Sequence, residues 1–480
     1  MCAPSLPVDV VRLLLEKVDY LKLDHVVRMS HVSHTWRIAA RSHPLYARDI
    51  TLPPLENLSR GAVLFFLDRL AAGGSLQLKI FMGVGTLSEN SRATHDFRTM
   101  VIPALARSLD RLVTLAIQCD ADLIPDMLAA LCTGAAPRLE VFQFYPPVHR
   151  PRPSYVMPVV PPDLFSRHAP QLRELQMEAC QFPETAPVAA LAHVRLLIYE
   201  VDNTAGIDGL VSLHPERFFV SCPALEELYI EGGGLDVKHA SWDACPPPSV
   251  TKLLHLTLTS AMGNRGTEVF VRTFAHPGMQ SISVETAEVN AATVDLMIGT
   301  LDDCEALHLD IDGDVDELKC SVLDAARSRR RTFVHQDIDM ESLEEDPADL
   351  FVDAFARIAR RFTCISVTQS ACAWNYLVAL FSEEDLIRVE TLKIMPTSDR
   401  FEDFDPEPER TLTFPALREI ELVSEFGMRG VDVDDLLFLV DGMLDFAAGR
   451  RLRLVLKNVR LDGDTNLLSD RFEDVSPSAP

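Results

Sequence analysis

Beyond residue 100 one arrangement of apolar and polar positions recurs, apolar-x-x-apolar-x-apolar, often with a proline before it. Clear copies are Leu112-x-x-Leu115-x-Ile117, Leu139-x-x-Phe142-x-Phe144, Leu172-x-x-Leu175-x-Met177, Leu225-x-x-Leu228-x-Ile230 and Leu253-x-x-Leu256-x-Leu258. Others are Met279-x-x-Ile282-x-Val284, Cys304-x-x-Leu307-x-Leu309, Phe362-x-x-Ile365-x-Val367, Val389-x-x-Leu392-x-Ile394 and Leu417-x-x-Ile420-x-Leu422. Weaker copies centre near Leu197 and Leu454, and a degenerate one near Thr332-Phe333-Val334 would fill the 58-residue gap between Leu307 and Ile365. Alternation at the last two apolar positions predicts a short strand, because strand side chains point to opposite faces. Helix-like segments, such as 121–131 and 432–446, lie between copies. Successive centres from 115 to 307 are 22 to 33 residues apart. A strand and a helix in a period of about 27 residues predict an irregular α/β solenoid over 101–461, each unit burying its apolar face against its neighbours. The strands would line the inside of a horseshoe and the helices its outside. An ordinary α/β domain with similar strand patterns is the alternative.

The first fifty residues follow a different pattern. Pro7 stands where a helix start tolerates a missing N–H. Val10, Val11, Leu14, Leu15 and Val18 follow with the spacing of one helical stripe, and Val26, Val27, Met29, Val32 and Trp36 form a second. A segment this short buries little of its apolar surface alone. The remaining face either packs on the rest of the chain or meets a partner.

Leu6-Pro7-x-Asp9, apolar pairs four apart, Val32-Ser33-x-x-Trp36 and Pro44-Leu45-Tyr46 together resemble the F-box, the adaptor-binding helical module of Skp-cullin-F-box ubiquitin ligases. Asp9 replaces the family's Glu, Ser33 its Cys, and Pro44-Leu45-Tyr46 its Pro-x-Leu-Trp. The resemblance implies docking of the Skp adaptor, and through it a cullin, by Leu6, Pro7, Val10, Leu14, Leu15, Leu23, Val32, Trp36 and Leu45. Some of these must instead hold the module together. The repeats loosely resemble degenerate leucine-rich repeats, without the usual Asn after the strand. The combination looks like the F-box proteins with such repeats found in mushroom-forming fungi. The division expected is 1–50 F-box, 51–100 linker or first cap, 101–461 solenoid and 462–480 acidic disordered tail.

In a horseshoe the residues flanking the last two apolar positions face the concave surface. These include Glu174, Gln176, Glu178, Glu227, Tyr229, Glu231, His255, Glu285, His308, Asp310, Lys393, Glu419, Glu421 and Arg453. Eight are acidic and two are Lys or Arg, so this candidate substrate surface favours a protein with a basic patch.

Composition narrows the function classes. At 47% hydrophobic and 24% charged the chain is composed like a globular protein. Net charge is −26, with +2 on residues 1–50, so the body is strongly acidic and argues against nucleic-acid binding. Arg327-Ser328-Arg329-Arg330-Arg331 is the local exception, expected as a solvated helix end ahead of a nuclear import signal. Eight Lys stand against 37 Arg. No apolar run approaches the ~20 residues of a membrane helix, and no secretory signal opens the chain. An intracellular location, cytoplasmic or nuclear, is therefore expected. None of the ten cysteines has Cys-x2-Cys spacing, which points to reduced, mostly buried thiols.

Signals for chemistry are weak. Asp310–Glu317 is acidic, but its Gly is fourth where a calcium loop needs it sixth, so a strand-to-helix loop is expected. Gly232-Gly233-Gly234 lacks a phosphate-loop Lys-Ser/Thr and reads as a turn. Four histidines crowd the head without zinc spacing. Pro-rich 146–162 and acidic 397–410 read as exposed loops. The expectation is a non-catalytic adaptor without cofactor or metal, binding the Skp adaptor and a protein substrate. The rivals are a non-ligase interaction scaffold whose helical head only caps the repeats, and an enzyme with an unrecognised site in 52–461.

Overall fold

The last two apolar positions of all ten clear copies of the repeat, and the weaker centres at Leu197 and Leu454, lie in strands of the computed structural model. It describes residues 6–477 apart from 18–21, 48, 53–57, 73–77, 84–91, 120, 146–156, 185, 202–210, 215, 233–234, 238–249, 260–262, 286–289, 314–316, 325, 327, 337–348, 382–385, 397–410 and 426. The chain is mixed α/β and divides into two compact units, Met1–Lys252 and Leu253–Pro480.

The first unit opens with four short helices: α1 (Val8–Glu16), α2 (Leu23–Ser30), α3 (His34–Arg41) and α4 (Pro44–Ala47). Next come β1 (Asp49–Leu52), α5 (Arg60–Ala72), β2 (Leu78–Gly83), α6 (Arg92–Asp96), α7 (Ile102–Ala106), β3 (Leu112–Gln118), α8 (Ile124–Leu131), β4 (Val141–Tyr145) and β5 (Glu174–Glu178). Then follow β6 (Leu196–Val201), β7 (Val211–Leu213), α9 (Glu216–Ser221), β8 (Glu227–Gly232) and β9 (Leu235–Val237). β1 to β6 and then β8 pair in chain order, all parallel, and β7 pairs with β9. The register stacks equivalent repeat positions, Leu115 on Phe142, Phe142 on Leu175, Leu175 on Leu197 and Leu197 on Leu228. All five are buried, while Gln143, Gln176 and Ile198, which follow Phe142, Leu175 and Leu197, are partly exposed and Tyr229, which follows Leu228, is exposed. Parallel neighbours require crossovers, which is why each strand is spaced from the next by a helix, a 3₁₀ turn or a loop. Segment 51–100, expected as a linker or first cap of the solenoid, carries α5, β2 and α6. Of the Pro-rich stretch, 146–156 lies outside the described residues; Met157 and Val160 are buried, and Val159 bridges to Gln181.

The second unit contains β10 (His255–Thr259), α10 (Gly263–Phe274), β11 (Ser281–Glu285), α11 (Ala291–Gly299), β12 (Leu307–Gly313), β13 (Glu317–Asp324), β14 (Arg329–Gln336), α12 (Asp349–Ile358), β15 (Phe362–Thr368), α13 (Ala371–Leu380) and β16 (Thr391–Met395). It continues through β17 (Leu412–Thr413), β18 (Glu419–Val423), β19 (Arg429–Asp432), α14 (Val433–Gly442), β20 (Leu444–Asp445), β21 (Leu452–Lys457), β22 (Val459–Asp462) and β23 (Phe472–Pro477). The sheet runs β10-β11-β14-β13-β12-β15-β16-β18-β21-β23; β13 is antiparallel to both neighbours and every other pair is parallel. β17 with β20 and β19 with β22 form small parallel pairs. Side chains cap three helices: Asn290 accepts from Thr293 N at α11, Ser370 from Ala373 N at α13 and Asp432 from Asp434 N at α14.

Three expectations change here. The strand at Thr332–Val334 exists, but β12 pairs directly with β15, so no rung fills the gap between Leu307 and Ile365. Instead β12, β13 and β14 fold back as a meander, and β14 slots beside β11, out of chain order. Asp310–Glu317 consequently joins two strands rather than a strand and a helix. A Cβ on Gly313 would stand 2.8 Å from Leu318 Cδ1, so glycine permits that close approach. Second, Arg329–Arg331 is not a solvated helix end: it opens β14, with Arg329 and Arg331 buried. Third, residues 464–477 of the tail expected to be disordered form a 3₁₀ turn and β23, which pairs with β21; buried Leu468 and Phe472 hold it down. The expected exposed loop 397–410 lies outside the described residues, as do Val18 and Leu21.

Candidate functional site

α1 is apolar on two faces. Val11 and Leu15, four apart, pack with Ala39 of α3, surrounded by Val8, Met29 and Trp36. The second stripe, Val10, Leu13 and Leu14 at i, i+3 and i+4, points outward with 40%, 58% and 46% of each residue exposed. Leu6 ahead of α1, Val32 in the turn before α3 and Ile38 on α3 are also exposed, Val32 by 67%. A helix face that is apolar normally has a neighbour, so α1 has an apolar face that the described residues leave uncovered. The single stripe expected at 10, 11, 14, 15 and 18 therefore splits, since adjacent residues lie about 100° apart on a helix.

The residues expected to dock an adaptor separate accordingly. Leu6, Pro7, Val10, Leu14 and Val32 are exposed. Leu15 is in the head's own core, a correction to its expected docking role. Trp36 is half-buried against that core, Leu45 packs with Val26, Ala40 and Tyr46, and Leu23 is half-buried. Leu13 and Ile38 were not anticipated, although the i+3 step from Val10 to Leu13 was legible.

Ser33 caps α3 by accepting from Trp36 N. His25 accepts from Lys22 N and His43 from Leu45 N, so these two histidines serve the backbone. The head is tied to α5 by Tyr46, whose hydroxyl donates to Asp68 at 2.7 Å and whose carbonyl accepts from Arg69 Nε at 2.6 Å; Arg41 also pairs with Asp68. Burial and the Asp68 carboxylate push the Tyr46 phenol up to about 12. Its ordinary value is about 10, so the folded chain holds this proton more tightly than the unfolded chain. That contribution is full below pH 10 and is lost as pH rises from 10 toward 12. Tyr46→Phe is expected to cost about 1 kcal/mol at neutral pH and to flatten this part of the stability slope, read from urea midpoints across that range; an unchanged slope contradicts it.

On the first unit's sheet face Gln143 Nε2 donates to Gln176 Oε1 at 3.1 Å, and Gln176 Nε2 to Glu200 Oε1 at 2.6 Å. Burial, then Glu200, Glu178 and Glu174, push the Tyr145 phenol up to about 12. The expected acidic character is present here, extended by half-buried Glu227 and exposed Tyr229 and Glu231.

On the second unit Asp310, Glu419 and Glu421 are paired with cations, where the expectation was a mainly acidic surface bearing Lys393 and Arg453. Glu421 is 4% exposed, with Lys393 Nζ 3.3 Å from Oε2 and Lys457 Nζ in contact with Oε1. Asp310 pairs with Arg330 at 3.3 Å and Glu419 with Arg453 at 3.3 Å. His255 shares a 2.8 Å hydrogen bond with Ser281, and Glu285 accepts from Ser283. These strands enclose an open cavity of about 420 Å³ that Lys319 of β13, Lys393 of β16 and Lys457 of β21 all line. Lys319 and Lys457 were not among the expected surface residues, lysine scarcity being their one signal, and Arg330 stood out in sequence only as part of the basic cluster 327–331.

His308 and Cys364 are register partners on β12 and β15. Burial, with Lys393 nearby, lowers the His308 pKa, and burial pushes the Cys364 thiol up to about 11. At neutral pH that thiol stays protonated, so the pair lacks a thiolate nucleophile. Among the described residues no His, Cys, Asp and Glu group converges to hold a metal, and no helix is long and apolar enough to cross a membrane. No protein-family model matches the chain, and no curated protein matches it.

Proposed function

We propose that the chain is the substrate-recognition subunit of a Skp-cullin-F-box ubiquitin ligase. On this reading α1 to α4 form the F-box and dock the Skp adaptor, while the strand-bearing body is a degenerate leucine-rich-repeat-like solenoid that holds a protein substrate. The observation that carries it is the second apolar stripe of α1, Val10, Leu13 and Leu14, left open beside Leu6 and Val32 within a sequence pattern that resembles the F-box. An exposed stripe of this kind marks an interaction surface. The chain contributes no reacting group on this reading. Tethering raises the local concentration of a substrate lysine near a charged ubiquitin carrier.

A second reading has its own observation. Tyr46, Asp68 and Arg69 fasten the helical head to α5, as a cap on the sheet would be fastened, and the chain is then an interaction scaffold without ligase assembly. Mixing the full chain with the cognate Skp adaptor and its cullin separates the two. Co-elution of all three is the outcome expected of the receptor; a chain eluting alone favours the cap.

A further inference from the structure

Three of the chain's eight lysines line one cavity on the second unit. They come from β13, β16 and β21, each more than sixty residues from the next in sequence. In a chain with 37 Arg and a net charge of −26, that convergence is the main departure from the chain's charge pattern. Lys393 and Lys457 flank a single buried carboxylate, Glu421, one ammonium on each oxygen. Two cations on one anion leave one positive charge over. Each ammonium has three donors, and both side chains remain about two-fifths exposed, 38% and 43%, so donors are left for a ligand.

The floor is built from small hydroxyl residues. Ser321 and Thr332 hydrogen-bond to each other, and Ser366 lies between Asp310 and Lys393 in register. Small side chains here, between long charged ones, are what make a groove rather than a flat sheet. The rest of the rim carries both signs, including exposed Asp312 and Glu425 beside Lys319 and Arg330.

We propose that this groove binds an extended peptide segment of a partner protein that presents one Asp or Glu carboxylate to Lys393 and Lys457, with a Lys or Arg a few residues away meeting Asp312. Over the whole lining four acidic residues balance four basic ones, so a segment carrying one charge of each sign fits, with its carboxylate at the local excess of one positive charge beside Lys393 and Lys457. A phosphoryl group, near −2, would bring a second charge against Asp310, Asp312, Glu421 and Glu425. The inference concerns the body alone and stands whether or not the head docks an adaptor.

The test pans a random peptide display library on the full chain, without adaptor. Sequences pairing Asp or Glu with Lys or Arg are expected to be enriched. Their affinity should fall on the order of tenfold or more in Lys393→Ala, and binding should weaken at high salt. Because a single substitution could unbalance buried Glu421, a second variant, Lys393→Met/Lys457→Met/Glu421→Gln, removes all three charges together; it should keep the wild-type circular dichroism spectrum and lose binding. Enrichment of purely basic peptides, enrichment indifferent to these lysines, or no enrichment overturns the proposal. Tighter binding when the enriched carboxylate is replaced by phosphoserine overturns the monoanion assignment.

Discussion

Replacing Arg329 with Ala is expected to destabilise the second unit by about 3–5 kcal/mol, the size typical of breaking a buried ion pair from one side. Arg329 and Asp324 are 5% and 3% exposed at their side chains, and two guanidinium nitrogens lie 3.2 Å from Asp324 Oδ2. The same guanidinium reaches Asp303 at 2.9 Å, and its remaining nitrogen donates to Pro277 O at 2.8 Å and Thr300 O at 3.2 Å. It therefore links the start of β14 to the turns after α10 and α11. Truncation strands a buried carboxylate and two carbonyls without returning them to water. Arg330→Ala is the control: its pair with Asp310 is 47% and 34% exposed, so the loss should be about 1 kcal/mol or less. Arg329→Met with Asp324→Asn should cost less than Arg329→Ala alone, because no buried charge is left unpaired; Asp303, which also loses its partner, is half-exposed. Urea unfolding of the variants checks the ranking; equal losses for Arg329→Ala and Arg330→Ala contradict it.

Leu14→Asp is expected to leave the head folded and to weaken adaptor binding about thirtyfold or more, the loss that corresponds to about 2 kcal/mol at an interface centre. Leu14 is 46% exposed, so a carboxylate there remains solvated. Leu15 is its neighbour in sequence and its opposite in environment. At 1% exposure against Val11 and Ala39, an aspartate at 15 would be buried without a partner, and α1 should melt away from α3. Both variants lose binding on the proposed reading, but circular dichroism and thermal unfolding should separate them. Loss of helical signal in Leu14→Asp would place that residue in a core the structure does not give it.

The repeating strands were legible because their signal is local. Leu115, Phe142, Leu175 and Leu228 are buried by the same alternation that marks them in sequence. β13 has that alternation too, at Leu318, Cys320 and Val322, but the acidic run before it reads as a strand-to-helix loop and the basic cluster after it as a helix end. The fate of Arg329 and Arg331 was not legible, because burying a guanidinium depends on acceptors such as Asp303, Thr300 and Met279, supplied from 26 to 52 residues away. The charged groove was hidden for the same reason, since register alone places Lys393 opposite Glu421 and brings Lys457 diagonal to it. At residues 464–477 acidity outweighed two apolar side chains, Leu468 and Phe472, that suffice to hold a short edge strand. On α1 the residue types were right and the faces were merged, because Val10-Val11 and Leu14-Leu15 both carry the i, i+4 step.

The most direct test of adaptor docking is a calorimetric titration of the cognate Skp adaptor into the full chain, run in parallel with Leu14→Asp and with Glu174→Gln, a substitution on the first unit's sheet face. Saturable binding by the intact chain and Glu174→Gln, lost in a folded Leu14→Asp, is the predicted result. No heat of binding with the intact chain, or equal binding by Leu14→Asp, would contradict the account and leave the helical head as a cap.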